Sequence, residues 1–484
     1  MPVLVLTMIF SVVFAIWWYW WRPRPRSPRT YPGALPIIGH IFEAVKYRND
    51  GTAMPSTSFC FNSSHFKTFL IFFLLISVPT WKIHRKLLNP AFNQKVLNTF
   101  VNVMNVEAQS LVSQFKSVAG QGPVDVKQFI IKYVLRSVCR TSLGLEANDQ
   151  HMIDKEYVQA IEETIAIVIK RGLNVALHPS FIYNITKMRK RQQELITRIK
   201  NILNSKMASV MFLMYFSKIY TFQIIKKRKS DLKTTNKKSM RDFNDSSLNG
   251  EYRDNGKFKP ILDLMLHLSD EQQVISDDDI RQHIDTFVFG SYDTTSAVLQ
   301  TTLLVLGSHP DVQERVYKEI KEVLGNNEEL TKYDLPKLVY LEAVIKEVLR
   351  IYSIAPWVAR QLDTDVVFRI KFIISAKYTL RAGSTCILVL YSLHRHPSWG
   401  PDAKQFKPER WLNPETLPTN PNVYAPFGIG KRNWKQYAMM TLKTSVAHIV
   451  RNFQLSADIS NLNWKYEVVL KPTNPILVSF TLRS

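Results

Sequence analysis

The segment from Ser276 to Gly307 constrains the chain most. Ser276, with Asp279 three residues on, forms a capping-box start. The run IRQHIDTFVFGSYDTTSAVLQTTLLVLG then keeps a helical apolar period through Ile280, Ile284, Phe287, Val288, Ala297 and Val298. Gly290, Ser291, Asp293, Thr294 and Thr295 break that stripe with small and polar groups. Polar groups inside a long helix need partners or a function. A Ser/Thr patch bonding back to helix carbonyls would supply the partners.

The text around this helix is also helical. Residues 101–203 alternate apolar and charged groups at helical spacing, as in EYVQAIEETIAIVIK, and read as four or more helices. Pro310 to Leu324 is a further helix, opened by its proline and closed by Gly325. LEAVIKEVLRIY carries Glu347 and Arg350 three residues apart, a common surface pair. Here Val344, Ile345, Val348 and Leu349 surround the pair and point to its burial. QFKPERW then supplies Arg410, and YAPFGIGKRNWKQYAMM places Phe427, Gly430 and Arg432 at F-x-x-G-x-R before another helical run.

These segments, in this order, resemble the cytochrome P-450 family. The long helix is similar to the family's central helix, A/G-G-x-D/E-T-T, with Gly290 fitting and Ser291 replacing the second glycine. The resemblance implies a mainly α fold with small β-sheets behind an N-terminal anchor, and a haem cofactor. It implies that Thr294 bonds iron-bound oxygen and that Asp293 relays protons, a general-acid role. Glu347, Arg350 and Arg410 resemble the family's structural triad. Trp81 and Arg85, one helical turn apart, resemble the pair that holds a haem propionate, and the resemblance implies that Arg360 also reaches a propionate. The wording at Phe287 to Ala297 and His394 to Asn413 is most similar to the animal family four, which oxidises fatty acids and similar chains. Gly290 stands where many of those have a Glu that can be esterified to haem.

The chain departs from the family where the chemistry is. The haem loop reads F-x-x-G-x-R-x-C-x-G in the family, and here Trp434 stands for the cysteine and Gln436 for the last glycine. A Cys thiolate holds the iron and pushes electron density toward O–O cleavage. An indole N–H donates only and has no lone pair for a metal. The family function is insertion of one oxygen of O2 into a lipophilic substrate, with electrons from NADPH through a flavoprotein reductase. This copy is expected to be impaired. The alternative is a non-catalytic, membrane-anchored relative or a pseudogene product.

Val3 to Trp21 is uncharged and long enough to span a bilayer. It ends in the aromatic run Trp17 to Trp21, and Arg22, Arg24, Arg26 and Arg29 follow. Aromatic belt first and basic residues after reverse the order of a cleaved signal, so residues 1–21 read as an anchor and the globule faces the cytosol. The family resemblance puts that anchor in the endoplasmic reticulum membrane. Residues 22–40 form a basic, proline-rich hinge, and 41–484 the P-450-like domain. That domain reads as incomplete before Trp81, where family text for strands and part of the substrate pocket is missing. Stretches 60–79, 207–259 and 365–377 fit the family poorly, and some of them read as translated non-coding sequence or local frame errors. The formal net charge is +23, and Lys and Arg are scattered with no nucleic-acid motif. Such a surface suits an acidic reductase or anionic lipid. A basic protein on anionic lipid, needing only the anchor and the charge, leaves the ordered motifs unexplained. Cys60, Cys139 and Cys386 are odd in number and widely spaced, which argues against a disulfide framework.

Overall fold

The computed structural model describes residues 59–61, 92–144, 180–204, 260–272, 276–369, 377–429, 435–460, 462–466 and 469–483, with 163, 167, 177, 225 and 229 as single positions. The anchor 1–21, the hinge 22–40, Trp81 and Arg85 lie outside these residues. Among the described residues no helix is long and apolar enough to cross a membrane.

In chain order the elements are β1 (Phe59–Phe61), α1 (Gln94–Asn98), α2 (Val101–Lys116), β2 (Val124–Asp125), α3 (Lys127–Leu143), α4 (Ser180–Asn184) and α5 (Lys187–Asn204). Then come α6 (Ile261–Gln272), α7 (Asp277–Ser308), α8 (Pro310–Leu324), α9 (Val339–Ile351), β3 (Trp357–Gln361), β4 (Val366–Arg369) and β5 (Lys377–Leu380). The last group is β6 (Thr385–Val389), α10 (Leu390–Leu393), α11 (Lys435–Asn452), β7 (Phe453–Ser456), β8 (Trp464–Tyr466), β9 (Leu470–Pro472) and β10 (Leu477–Leu482). The architecture is mainly helical with small antiparallel sheets, as the sequence led one to expect.

α7 is the axis of the core. Its capping box forms in both directions: the Ser276 hydroxyl accepts from the Asp279 amide at 3.2 Å, and the Asp279 carboxylate accepts from the Ser276 amide at 3.1 Å. Such a cap is worth about 1 kcal/mol. Ile280, Ile284, Phe287, Leu299, Leu303 and Leu306 are buried along the helix. α7 packs along α3, and α11 lies against both α2 and α7. Near its end Gly307 meets the chain after β7 so closely that an added Cβ would sit 2.7 Å from the Ala457 Cβ. Only glycine allows that approach. α8 follows with Pro310 in its first turn and Gly325 at its C-cap.

Among the described residues four small sheets flank the helices. Their orders are β1-β6-β3, β2-β10-β7, β4-β5 and β8-β9, with every pairing antiparallel. β10 carries Phe480 into the core, where it stacks on Phe115 of α2 with centroids 4.3 Å apart. β1 sets Cys60 opposite Cys386 of β6.

The turn between β5 and β6 joins two different sheets: β5 pairs with β4, while β6 pairs with β3. Leu362 is the reason, because its backbone bonds to the turn from outside, donating to Ser384 O and accepting from Gly383 N. The stretch 365–377 is in part ordinary sheet, with Val366 opposite Leu380 and Arg369 opposite Lys377. From 207–259, Ile225 is buried in the main core and Lys229 pairs with Asp277 at 2.6 Å.

Candidate functional site

The middle of α7 is open, while the residues that follow it are closed. Gly290 is exposed, and a Cβ added there would meet nothing within 4 Å. One turn on, half-buried Thr294 donates its hydroxyl to the Gly290 carbonyl at 2.7 Å. This is the back-bond that a mid-helix threonine makes when it has no other partner. Residues 295–307 are buried throughout. The helix therefore carries a notch at Gly290 ahead of a buried C-terminal half. Asp293 turns away from Thr294: its carboxylate pairs with Lys471 of β9 at 2.5 Å, and both side chains are mostly covered. The two expected relay residues sit on one turn and are each bonded elsewhere. Lys471 gave no signal in the sequence, since it lies far along the chain in an unremarkable hairpin.

The buried triad is a complete hydrogen-bond system. Glu347 and Arg350 are fully buried and Arg410 is 2% exposed. Glu347 Oε1 accepts from Arg350 Nη2, Arg410 Nε and the Lys407 amide at 2.7, 2.9 and 3.0 Å. Oε2 accepts from Arg350 Nε and the Trp411 indole, each at 2.9 Å. The remaining N–H groups of Arg350 donate to the carbonyls of His394, Ala403 and Gln405. Arg410 also meets Asp402 at 3.3 Å, and the Arg350 guanidinium lies 5.0 Å from the Trp399 ring centre. Arg350 is thus fully satisfied although nothing of it reaches water. The local E-x-x-R and P-E-R patterns revealed the three charged members. Asp402, Trp411 and the carbonyl partners carry no comparable signature.

The chain then runs from this cluster to the loop. Tyr424 donates to the Lys346 carbonyl at 3.1 Å, and the Ala425 amide donates to His394 Nε2 at 3.0 Å. Phe427 is half-buried against the main core, and Gly428 turns the chain with φ of 73°. Gly430, Arg432 and Trp434 lie outside the described residues. α11 resumes at Lys435, and its Tyr437 hydroxyl meets Thr141 of α3 at 2.9 Å, 5.3 Å from Phe287 ring to ring. Arg360 is exposed on β3, its guanidinium donating to the Ala359 carbonyl.

At Gly290 α7 presents bare backbone, with room for a group to approach the helix. The iron-donor set does not fit a haem-thiolate centre. The position of the ligand is Trp434, and indole is no donor to a metal. Cys139 is buried inside α3 and burial pushes its thiol up to about 12. His394 Nε2 is occupied by the Ala425 amide, and His448 Nε2 meets Asn105 Oδ1 at 2.9 Å. Among the described residues no group of His, Cys, Asp and Glu is arranged to hold a metal.

The sequence profile of the family Cytochrome P450 matches residues 40–480. Cytochrome P450 4c3 of Drosophila melanogaster is 30% identical over 414 residues, 83% of this chain and 72% of that protein. Cytochrome P450 4V2 of Mus musculus is 29% identical over 409 residues, and that of Homo sapiens 28% over 410; each match covers 72% of the relative. A family match over most of the chain, together with a relative 30% identical over 83% of it, leaves one conclusion: the chain belongs to the cytochrome P450 family of haem-dependent monooxygenases.

Proposed function

We propose that this chain keeps the P450 scaffold and its distal wall but does not carry out monooxygenation. Trp434 carries the reading, because it stands where the family places the thiolate. The commitment of His394, His448 and Cys139 to other bonds supports it, since none of them is poised to replace the missing ligand. The open notch at Gly290 favours a retained binding role for a lipophilic small molecule such as a fatty acid. The segment from Val3 to Trp21 and the basic residues after it would hold the protein on the endoplasmic reticulum membrane, facing the cytosol. The partner that the family implies is the NADPH-dependent flavoprotein reductase, whose acidic surface would suit the net charge of +23.

The test is the carbon monoxide difference spectrum of the reduced protein in membranes, for the parent and Trp434→Cys. The expected result is a thiolate-type Soret band in the variant and none in the parent. A thiolate-type band from the parent refutes the proposal.

A further inference from the structure

His394 is fully buried between the helix that carries the triad and the loop that enters the iron-ligand position. The Ala425 amide points its N–H at His394 Nε2, at 3.0 Å. An amide nitrogen only donates, so Nε2 must be the bare nitrogen and Nδ1 carries the proton. Nδ1 lies 2.7 Å from Ser353 Oγ, which in turn donates to the Arg350 carbonyl at 3.1 Å. From the other side, Arg350 Nη1 donates to the His394 carbonyl at 2.9 Å. A continuous chain of hydrogen bonds therefore runs from Ala425 through one imidazole to the last turn of α9. Ala425 is itself buried and starts the turn at Gly428, whose amide donates to the Ala425 carbonyl at 2.9 Å.

We infer that His394 is a positioning residue for this loop: its neutral, Nδ1-protonated ring is the latch that ties Ala425 to the triad helix, and acid opens it. A proton on Nε2 would set two N–H groups against each other and break the link. Of the groups facing the ring, the two arginines resist that proton. Arg350 of α9 lies behind it with its charge matched by Glu347, Arg395 follows it in its own turn, and the Tyr424 ring sits 5.6 Å away on the loop. Burial first, then Arg395 and Arg350, hold the imidazole down to about 3, while burial keeps the Tyr424 phenol un-ionised. Opening the loop to water would return the ring to an ordinary value near 6.5. Each pH unit below that then favours the open loop up to about tenfold. The inference goes beyond the proposed function, because the latch exists with or without a bound macrocycle.

Hydrogen exchange of the full-length chain in detergent tests this, read on peptides covering residues 421–429 and corrected for intrinsic rates. In the parent, protection of that segment should fall by nearly tenfold per unit between pH 6 and pH 5. Peptides from α8 should keep theirs, which separates the latch from general loosening. His394→Gln offers Oε1 to the Ala425 amide without titrating, so its protection should be lower at neutral pH and flat with pH. Equal slopes in parent and His394→Gln would overturn the inference. If α8 also loses protection in His394→Gln, Ser353→Ala decides instead. It removes the partner of Nδ1 and should weaken protection of 421–429 alone, and unchanged protection there would overturn the inference.

Discussion

Glu347→Gln should be the most costly conservative change in this protein. The substitution keeps the shape of the side chain and removes one charge. It also turns one acceptor oxygen into an NH2 group. Both oxygens are surrounded by donors: Oε1 by Arg350, Arg410 and the Lys407 amide, Oε2 by Arg350 and the Trp411 indole. Whichever way the amide turns, its NH2 faces N–H groups. Charge-assisted hydrogen bonds contribute about 1.5–3 kcal/mol each, and losing one partner of a buried ion pair costs roughly 3–5 kcal/mol. Two lost bonds and two guanidinium groups short of a counter-charge give about 4 kcal/mol. That is a large share of the roughly 5–15 kcal/mol that holds a domain folded. Urea unfolding of the detergent-solubilised chain, followed by tryptophan fluorescence, reads it directly, since Trp399 and Trp411 lie 5.6 Å apart beside the triad. Glu322→Gln on the exposed face of α8 is the control and should shift stability by no more than about 0.5 kcal/mol. If both variants unfold at the same midpoint, the triad does not depend on its buried charge and the reasoning fails.

Gly307→Ala should destabilise by about 1–3 kcal/mol, because its Cβ would lie 2.7 Å from Ala457 Cβ and 2.8 Å from Ala457 N; a thermal midpoint within a degree of the parent would contradict the close approach. His448 is held down to about 4 by burial and then Arg451. The unfolded chain takes up that proton near pH 6.5 and the native chain does not, so this contribution is complete above pH 6.5 and lost as pH falls toward 4, by about 3 kcal/mol. Unfolding of the parent and His448→Gln compared from pH 7 to pH 4 should show the shallower slope in the variant, and parallel curves would rule the contribution out. Lys471→Met should release Asp293 and loosen the β8–β9 hairpin, with a coupling of about 1 kcal/mol to Asp293→Asn in a double-mutant cycle, given that both groups are partly solvated. A coupling of zero would make the pair a bystander.

What the sequence made legible was local. The capping box of α7, the proline and glycine that bound α8, and the i, i+3 pair on α9 each announce themselves within a few residues. Burial of Glu347 and Arg350 could be inferred from the apolar neighbours on the same helix. The Asp293–Lys471 pair could not, because no periodicity links a helix to a hairpin far along the chain. The strand pairing around the turn at 381–384 is hidden for a related reason. The turn's Arg-Ala-Gly-Ser chemistry is that of a tight turn, but which strands it joins is decided by Leu362, which reaches it from another segment. His394 reads as one histidine among several, and its two ring bonds come from Ser353 and Ala425, which approach only in three dimensions.

The placement of β10 has a consequence for how the chain must be made. Every other described element precedes it, yet it pairs with β2 at Val124 and Asp125 and with β7, and delivers Phe480 onto Phe115. A growing chain on the ribosome therefore holds a hydrophobic face open from the synthesis of α2 until nearly the whole sequence has emerged. Vectorial folding can assemble the helices early, but it cannot seal this side of the core. A message cut short before codon 477 would leave most of the scaffold translated and the Phe115 face bare, a product for chaperones and proteases.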